Sequence, residues 1–470
     1  MKNFYKEETT MNEYLYGAYG KLGATVAQNA VQSGTAVVYF GTAPINLIRG
    51  YKTLSLVNKP IKLSNWLSAI QSVGYSDDWD SFTLSEVISA HFANSKGNIG
   101  PVYVVNVLNP EIHVAGDTVE TSLTFSNGQA VIRSSTIILD TLTITGLREG
   151  TDYSVDYDFT KGQAVINSIG TKITGSKDAT YSVVEPSRIA DTDIIGDVTA
   201  DGEYSGIKAV ALLYQNENVV ANILAAPKWS ELASVYNALV SASQEINGHW
   251  DAVVYADIPL AYTNDDGDEV AVDTIEKAIA WKNDNGYGSE RSKVYWPQAK
   301  ANTALYHTSV LACVETLRTD NSHGSVPMET CGNKIIPVAG QYFGTKAKNQ
   351  GFDQITANKL TQNGISTLVF WGGNWVLWGD HTAAYKYGKD MDARAIFDVS
   401  MRMLMYITNS FQREWGTEID KPFTKQLRDR IINREQEKLD SLVAQGALIG
   451  HPTVEFVDTN NSTSDMMNGD

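Results

Sequence analysis

The stretch from Val219 to Ile258 limits the possible folds more than any other. Val219-Val-Ala-Asn-Ile-Leu224 reads as a strand, closed by Pro227. Trp229, Leu232, Val235, Leu239 and Ile246 then fall on one helical face, and Ala252-Val-Val-Tyr-Ala-Asp-Ile258 reads as the next strand. Strand, amphipathic helix and buried strand make a βαβ unit, which requires a parallel pair joined by a right-handed crossover.

Two further apolar runs of strand length lie upstream. Ala36-Val-Val-Tyr-Phe40 ends at Gly41-Thr-Ala-Pro44, where proline stops the pairing, and Pro101-Val-Tyr-Val-Val-Asn-Val-Leu108 is a second buried type. Between them Trp66, Ile70, Leu84, Val87 and Ile88 recur at helical spacing. Residues 1–34 differ. Tyr14-Leu-Tyr-Gly-Ala-Tyr-Gly20 alternates aromatic and glycine, which favours an extended arm over a helix. An extended arm without a partner in its own chain has free N–H and C=O groups that seek another sheet's edge.

From 109 to 188 β-branched residues alternate with polar ones, and turns recur at Ser126-Asn-Gly128, Arg148-Glu-Gly150, Thr160-Lys-Gly162 and Thr174-Gly175. Short strands at 122–125, 136–139, 152–157 and 164–166 predict a small all-β insert, a sandwich, left through Pro186 and the acidic stretch 191–206. Helices are expected at 274–283 and 309–319, with Thr308 as the N-cap of the second. In the last part, Gly372-Gly-Asn374 between two tryptophan-rich runs is a hairpin signal. A long helix follows with Ile396, Val399, Met403, Leu404, Ile407 and Phe411 on one stripe. Another starts with Pro422 in its first turn, runs through Leu427, Ile431, Leu439 and Leu442, and stops at Gly446. Val454-Glu-Phe-Val457 reads as a strand, and 458–470 has no core-forming pattern.

At 470 residues the chain exceeds one compact core. Charged residues make up 19%, below the typical ~25%, so part of the surface is expected to be covered by partners. A net charge of −17 repels phosphate backbones and anionic lipid, which argues against nucleic-acid binding and direct membrane insertion. The polar Met1–Thr10 start has no secretory-signal pattern, and no run approaches the ~20 apolar residues of a membrane span. Cys313 and Cys331 read as free thiols in a reducing cytoplasm.

Chemistry-bearing motifs are scarce: there is no phosphate loop, HExxH or GxSxG. Asn321-Ser-His-Gly-Ser325 resembles the histidine motif of subtilisin-type proteases, but matching Asp and Ser segments are missing, so a surface turn is expected. Asn264-Asp-Asp-Gly-Asp-Glu269 lacks the spacing of a calcium loop and reads as a solvated turn, and His381 reads as a hydrogen-bonded structural histidine. No catalytic residue, metal ligand or cofactor is expected. Between Tyr385 and Asp440 eleven Lys/Arg face ten Asp/Glu, a relatively basic island on an acidic protein. It suits docking on an acidic surface, or else a solvated helix laced with ion pairs.

Several segments, in order along the chain, resemble the contractile tail sheath family. Gly41-Thr-Ala-Pro44 is similar to its early strand and turn, and Pro101-Val-Tyr-Val-Val-Asn-Val107 to its "VYVVRV" strand. Leu360-Thr-Gln-Asn-Gly-Ile365 resembles its "LN-x-x-GIN" turn and Trp378-Gly-Asp-His-Thr382 its "WG-x-x-T" segment. Arg394 falls where the family has a basic residue before the long helix, and Gly446-Ala-Leu-Ile-Gly450 resembles its "GA-x-x-G" helix exit.

The resemblance implies an α/β and α+β multidomain protein. It comprises an arm (1–34), the first part of an α/β core (35–108), the β-sandwich insert (109–188), a non-catalytic subtilisin-like α/β domain (189–350), a C-terminal α+β core (351–457) and a tail (458–470). It also implies a non-enzymatic subunit that assembles with copies of itself into hexameric rings stacked as a helical sheath. Partners would be the inner tail tube, baseplate and tail terminator. The place would be the tail of a virion or a phage-tail-like particle, built in the bacterial host cytoplasm. The inter-subunit arms would use Tyr14, Leu15, Tyr16 and Tyr19 at one end and Val454, Phe456 and Val457 at the other. A basic helix with Lys421, Lys425, Arg428, Arg430 and Arg434 would face the tube. Family members continue past a segment like Met467-Asn-Gly469 with a further strand, whereas this sequence stops at Asp470, so a shorter or missing last strand is expected. A carbohydrate-active enzyme or carbohydrate-binding surface protein is the alternative, motivated by ten tryptophans.

Overall fold

The computed structural model describes residues 34–302, 304–344 and 352–457; Tyr14, Leu15, Tyr16 and Tyr19 lie outside them. The first described segment forms β1 (Val37–Gly41), β2 (Pro60–Leu63), α1 (Trp66–Ser72), α2 (Thr83–Phe92) and β3 (Val102–Asn106). Every residue of β1 and β3 is buried, as continuous apolar strands covered on both faces must be. A reciprocal capping box between Asn65 and Ser68 starts α1.

The insert carries β4 (Val119–Phe125), β5 (Gln129–Ile132), β6 (Thr143–Ile144), β7 (Tyr153–Asp158), β8 (Gln163–Ser168) and β9 (Gly175–Tyr181). These make two three-stranded antiparallel sheets, β4-β9-β6 and β5-β8-β7, over one apolar core that includes Leu123, Phe125, Tyr153, Val155 and Ile166. Asn127 and Gly128, at φ 54° and 82°, form the tight turn between β4 and β5. Residues 136–139 are not the strand expected. Ile137 makes one bridge to Val183, and a 3₁₀ turn, Leu139–Thr141, follows. The insert's two ends are tied together: Ala115 N–H donates to Val183 O (2.9 Å) and Glu185 N–H to His113 O (2.7 Å). Asn46 Nδ2 and the Arg49 guanidinium reach into it, to the carbonyls of Ile137 (2.9 Å) and Leu139 (2.8 Å).

Beyond the insert come α3 (Asp191–Ile195), α4 (Leu212–Glu217), β10 (Ile223–Ala225), α5 (Ala233–Ala242) and β11 (Val253–Asp257). β10 and β11 pair in parallel across α5, as the βαβ reading requires. The helix is shorter than the apolar spacing implies. Val235, Tyr236 and Leu239 form its buried face, while Trp229 sits in a 3₁₀ turn, Leu232 is exposed and Ile246 lies past the helix end, bridged to Trp250.

A hairpin, β12 (Ala261–Thr263) and β13 (Glu269–Ala271), presents the acidic turn. The Asn264 side chain accepts backbone N–H bonds from Asp266 and Asp268 there. Then follow α6 (Ile275–Asp284), β14 (Ser292–Tyr295), β15 (Gln298–Ala301), β16 (Ala304–Tyr306), α7 (Thr308–Ser322) and β17 (Gly340–Tyr342). The N-cap of α7 is His307; Thr308 is the first helical residue, and its hydroxyl donates to Pro297 O (2.5 Å) instead of capping.

The last described part holds α8 (Gln354–Thr361), β18 (Ile365–Trp371), β19 (Asn374–Trp378), α9 (Asp398–Trp415) and α10 (Lys425–Ala444). Gly372 and Gly373 make the two-residue turn at φ 59° and 84°, a backbone that side chains resist. The N-cap of α10 is Thr424, accepting from Leu427 N–H, so Pro422 lies before the helix. At the other end Gly446 (φ 78°) donates to Val443 O and Ala447 N–H to Leu442 O, the double bond of a Schellman stop.

One eight-stranded sheet, ordered β19-β18-β14-β11-β10-β1-β3-β2, joins strands from 35–108, 189–350 and 351–457. Its six inner strands are parallel, and the two edge strands run antiparallel to their neighbours. The main apolar core lies on this sheet.

Candidate subunit interface

The helix pair α9–α10 carries the apolar stripe and most of the basic residues singled out in the sequence. Its attachment to the sheet is ionic as well as apolar. The Arg402 guanidinium pairs with Asp320 of α7, both buried, and the Thr35 hydroxyl donates to the same carboxylate. One turn earlier Asp398 accepts from Tyr255 Oη (2.8 Å), with Lys293 Nζ 4.0 Å away and also 3.8 Å from Cys331 Sγ. Buried charges are tolerated only when paired, so these contacts fix the position of α9 on the sheet. Both cysteines are free and buried.

The two helices meet over a small core of Met403, Leu442 and Val326, bordered by Tyr406, Ile407 and Leu439. A ladder of carboxylates on α9 and just after it takes up basic side chains of α10 and of the segment before it. Arg434 and Lys438 both bind Glu414, Arg430 binds Glu418 (3.1 Å) and Lys421 binds Glu418 (3.2 Å). Arg428 pairs with Asp429 (3.1 Å) and lies over the Phe456 ring. Lys425, exposed at the helix start, has no carboxylate partner among the described residues. Of the five basic residues singled out by sequence, four are thus brought onto acidic groups of the same chain.

The stripe expected along α9 is not all core. Met401, Met403 and Met405 are buried, but Leu404 and Phe411 are each 40% exposed, and Ile396 precedes the helix. Leu404, Thr408 and Phe411 line an uncharged outer strip, although an ordinary solvent-facing helix carries charge there. Phe423, Ile419 and Ile449 are exposed close by in sequence, and Phe370 and Trp371 stand out at the β18–β19 turn.

Residues 451–457 form no strand with the other described residues, contrary to the pattern of Val454-Glu-Phe-Val457. They run extended along α10 instead. Gln436 Nε2 donates to Pro452 O (2.9 Å) and Val454 N–H donates to Gln436 Oε1 (3.1 Å). Phe456 stacks on Phe423 with ring centres 5.5 Å apart, and Val457 is half exposed. The edge of β19 is occupied within the chain: Asn333 N–H and Ile336 N–H donate to Leu377 O and Trp375 O.

The residues that looked chemical in sequence are structural. His323 caps the end of α7 and pairs with Glu329 (2.7 Å). His381 stacks on Tyr385 (3.7 Å) and on Phe397 (5.3 Å). Its buried Nδ1 has no hydrogen-bond partner among the described residues, unlike the hydrogen-bonded histidine expected, and burial lowers its pKa from the usual value. Sequence reading missed a buried cluster at the carboxyl end of the sheet. His307 Nδ1 meets Glu86 Oε2 (2.7 Å), His307 Nε2 meets Glu231 (3.3 Å), and Ser309 N–H and hydroxyl donate to Asp257. Burial opposes the charged imidazole, but Glu86 and Glu231 outweigh it and hold His307 well above its usual pKa. Burial pushes Asp257 up to about 6, against His307 and Ser309. Ser309 and Asp257 are closed off from solvent, and no group of three metal-ligating side chains occurs among the described residues. No local motif signals this cluster, since Glu86 and His307 stand 221 residues apart.

No family model matches the chain. It is 24% identical over 448 residues to the tail sheath protein of Burkholderia phage BcepMu, covering 87% of this chain and 86% of that protein. It is 21% identical over 297 residues to the major tail sheath protein of Serratia phage KSP20, covering 61% and 68%. Among solved structures, the fold matches a chain of the contracted sheath complex of an extracellular contractile injection system, PVC, with TM-score 0.52 and 12% identity over 98% of this chain and 92% of that one. A chain of the anti-feeding prophage baseplate structure matches with TM-score 0.50 and 14% identity over 96% and 92%. In sequence and in fold, over most of its length, this chain resembles the sheath proteins of contractile tails.

Proposed function

We propose that this chain is a structural subunit of a contractile tail sheath, which polymerises around an inner tube and contracts to drive that tube through a cell envelope. The similarity to a tail sheath protein over 87% of the chain carries this reading. The uncharged outer strip of α9 and the unpaired segment 451–457 support it, because both present surface that a second copy can cover. The carbohydrate reading gains nothing from the relatives, which are named as sheath proteins.

The finer statements belong to the same proposal. Copies of the chain form hexameric rings stacked helically, in a phage tail or tail-like particle assembled in the host cytoplasm, with tube, baseplate and terminator as further partners. Val454, Phe456 and Val457 pair with a neighbour's sheet, and the N-terminal arm does the same from the other end. Lys421, Lys425, Arg428, Arg430 and Arg434 face the tube, where Lys425 offers the least compensated charge. The sandwich insert at 109–188 and a subtilisin-like grouping of 189–350 remain part of this reading. Contraction is a shift of each subunit to better-buried packing, so the work adds up over the polymer without nucleotide hydrolysis.

Electron microscopy of the concentrated protein tests the proposal. Tubes or rings are expected from the full chain, and a chain that stays monomeric at every concentration overturns it. Leu404→Asp with Phe411→Asp is expected to keep the monomer's circular dichroism and abolish the tubes.

A further inference from the structure

We propose that residues 451–457 form a strap parked on α10 in the free subunit, and that freeing this strap is the step that permits pairing with a neighbour. The inference rests on the sheath reading above. Its structural basis is the Gln436 side chain, which accepts from Val454 N–H (3.1 Å) and donates to Pro452 O (2.9 Å). In a parallel sheet, one residue bonds the C=O before and the N–H after the residue it faces. The Gln436 amide makes that pair of bonds around Thr453, so a single side chain stands in for a strand. Phe456 adds an aromatic clamp, stacked on Phe423 and lying beneath Arg428, whose guanidinium carbon is 5.7 Å from the ring centre.

The hold is built to be lost. Among the described residues, no backbone bond joins 451–457 to the rest of the chain, and Glu455 and Val457 face solvent. A sheet edge offers a whole row of partners where Gln436 offers one, so an incoming edge displaces the amide without leaving the strap unsatisfied. Until then the Pro452 carbonyl and the Val454 N–H are occupied, which discourages pairing with the wrong strand.

Hydrogen exchange on the dilute monomer reads the parked contact directly. The Val454 amide is expected to exchange about tenfold faster in Gln436→Ala than in the unaltered chain. Equal rates overturn the proposal. A second variant, Phe423→Cys with Phe456→Cys, locks the strap when oxidised; the native cysteines are buried and do not interfere. The oxidised protein is expected to stay monomeric and to form tubes after reduction, and locked protein that assembles as fast as reduced protein overturns the strap while leaving the sheath reading intact. If the reduced double variant fails to assemble, Gln436→Ala decides: faster tube nucleation supports release as the permitting step, and an unchanged or slower rate overturns it. An unaltered chain that never polymerises removes the sheath reading, and the permitting step with it, even where Val454 is protected.

Discussion

The eight-stranded sheet and the α9–α10 helix pair reach their structures by different means. Strands β1, β3, β11 and β14 are buried at every residue, and the edge of β19 is bonded within the chain. The helix pair meets over a small core, Met403 and Leu442 against Val326, and a row of half-exposed ion pairs. It leaves Leu404, Phe411 and Phe423 outside. Bulk burial specifies the sheet, so it is finished in one chain. Charge and a narrow contact position the helices, which leave apolar surface exposed.

The contrast breaks most visibly where the two regions are pinned together. Arg402→Ala leaves Asp320 buried with the Thr35 hydroxyl as its remaining partner, and is expected to cost about 3–5 kcal/mol in denaturant unfolding. Phe40→Ala, inside the sheet, should cost a similar amount, about 3–5 kcal/mol, and lower the protection of every core strand together. Leu442→Ala is expected to cost less, about 2–3 kcal/mol, and to show as faster amide exchange in α10 with the β1 and β11 amides unchanged. Loss of protection in both regions at once would mean that they unfold as one unit.

A smaller effect is confined to a pH window. His307 is held above its usual value of 6.5 in the folded chain, so its contribution is complete below about that pH and fades as pH rises through the raised value. Asp257, raised from 3.8 to about 6, works in the same sense at lower pH: stability falls as pH rises through that value. Denaturant midpoints across pH should therefore decline from mildly acid to alkaline solution, and His307→Gln should flatten the upper part of the decline. A decline unchanged in that variant would remove His307 as its source. Smallest of all, Arg434→Gln loses a half-exposed pair with Glu414 and is expected to cost under about 1 kcal/mol.

The same division explains what could be read from sequence. Ala36-Val-Val-Tyr-Phe40, Pro101-Val-Tyr-Val-Val-Asn-Val107 and the βαβ stretch announce the sheet, because a run of apolar residues has few other uses. Gly372 and Gly373 announce the hairpin, because its turn needs positive φ twice. Periodicity failed at Leu404 and Phe411, since an exposed apolar side chain looks in sequence like one in a core. It failed again at Val454-Glu-Phe-Val457, where strand propensity is real but none of the described residues pairs with the segment as a strand. The His307 cluster was invisible for another reason: its members come from α2, the turn before α5, the end of β11 and the start of α7, and only the finished sheet brings them together.

The neck of the β insert has a consequence of its own. The chain leaves and returns through Val114 and Val184, which bridge each other, so the insert joins the rest through two adjacent ends, with Ile138 packed into the main core and Leu47 into the insert's own. Such a cassette can be enlarged, traded for another module or used as a grafting point while the parallel strands keep their register. The toll falls on Asn46 and Arg49, whose side chains donate to the insert's carbonyls and would need new acceptors in any replacement.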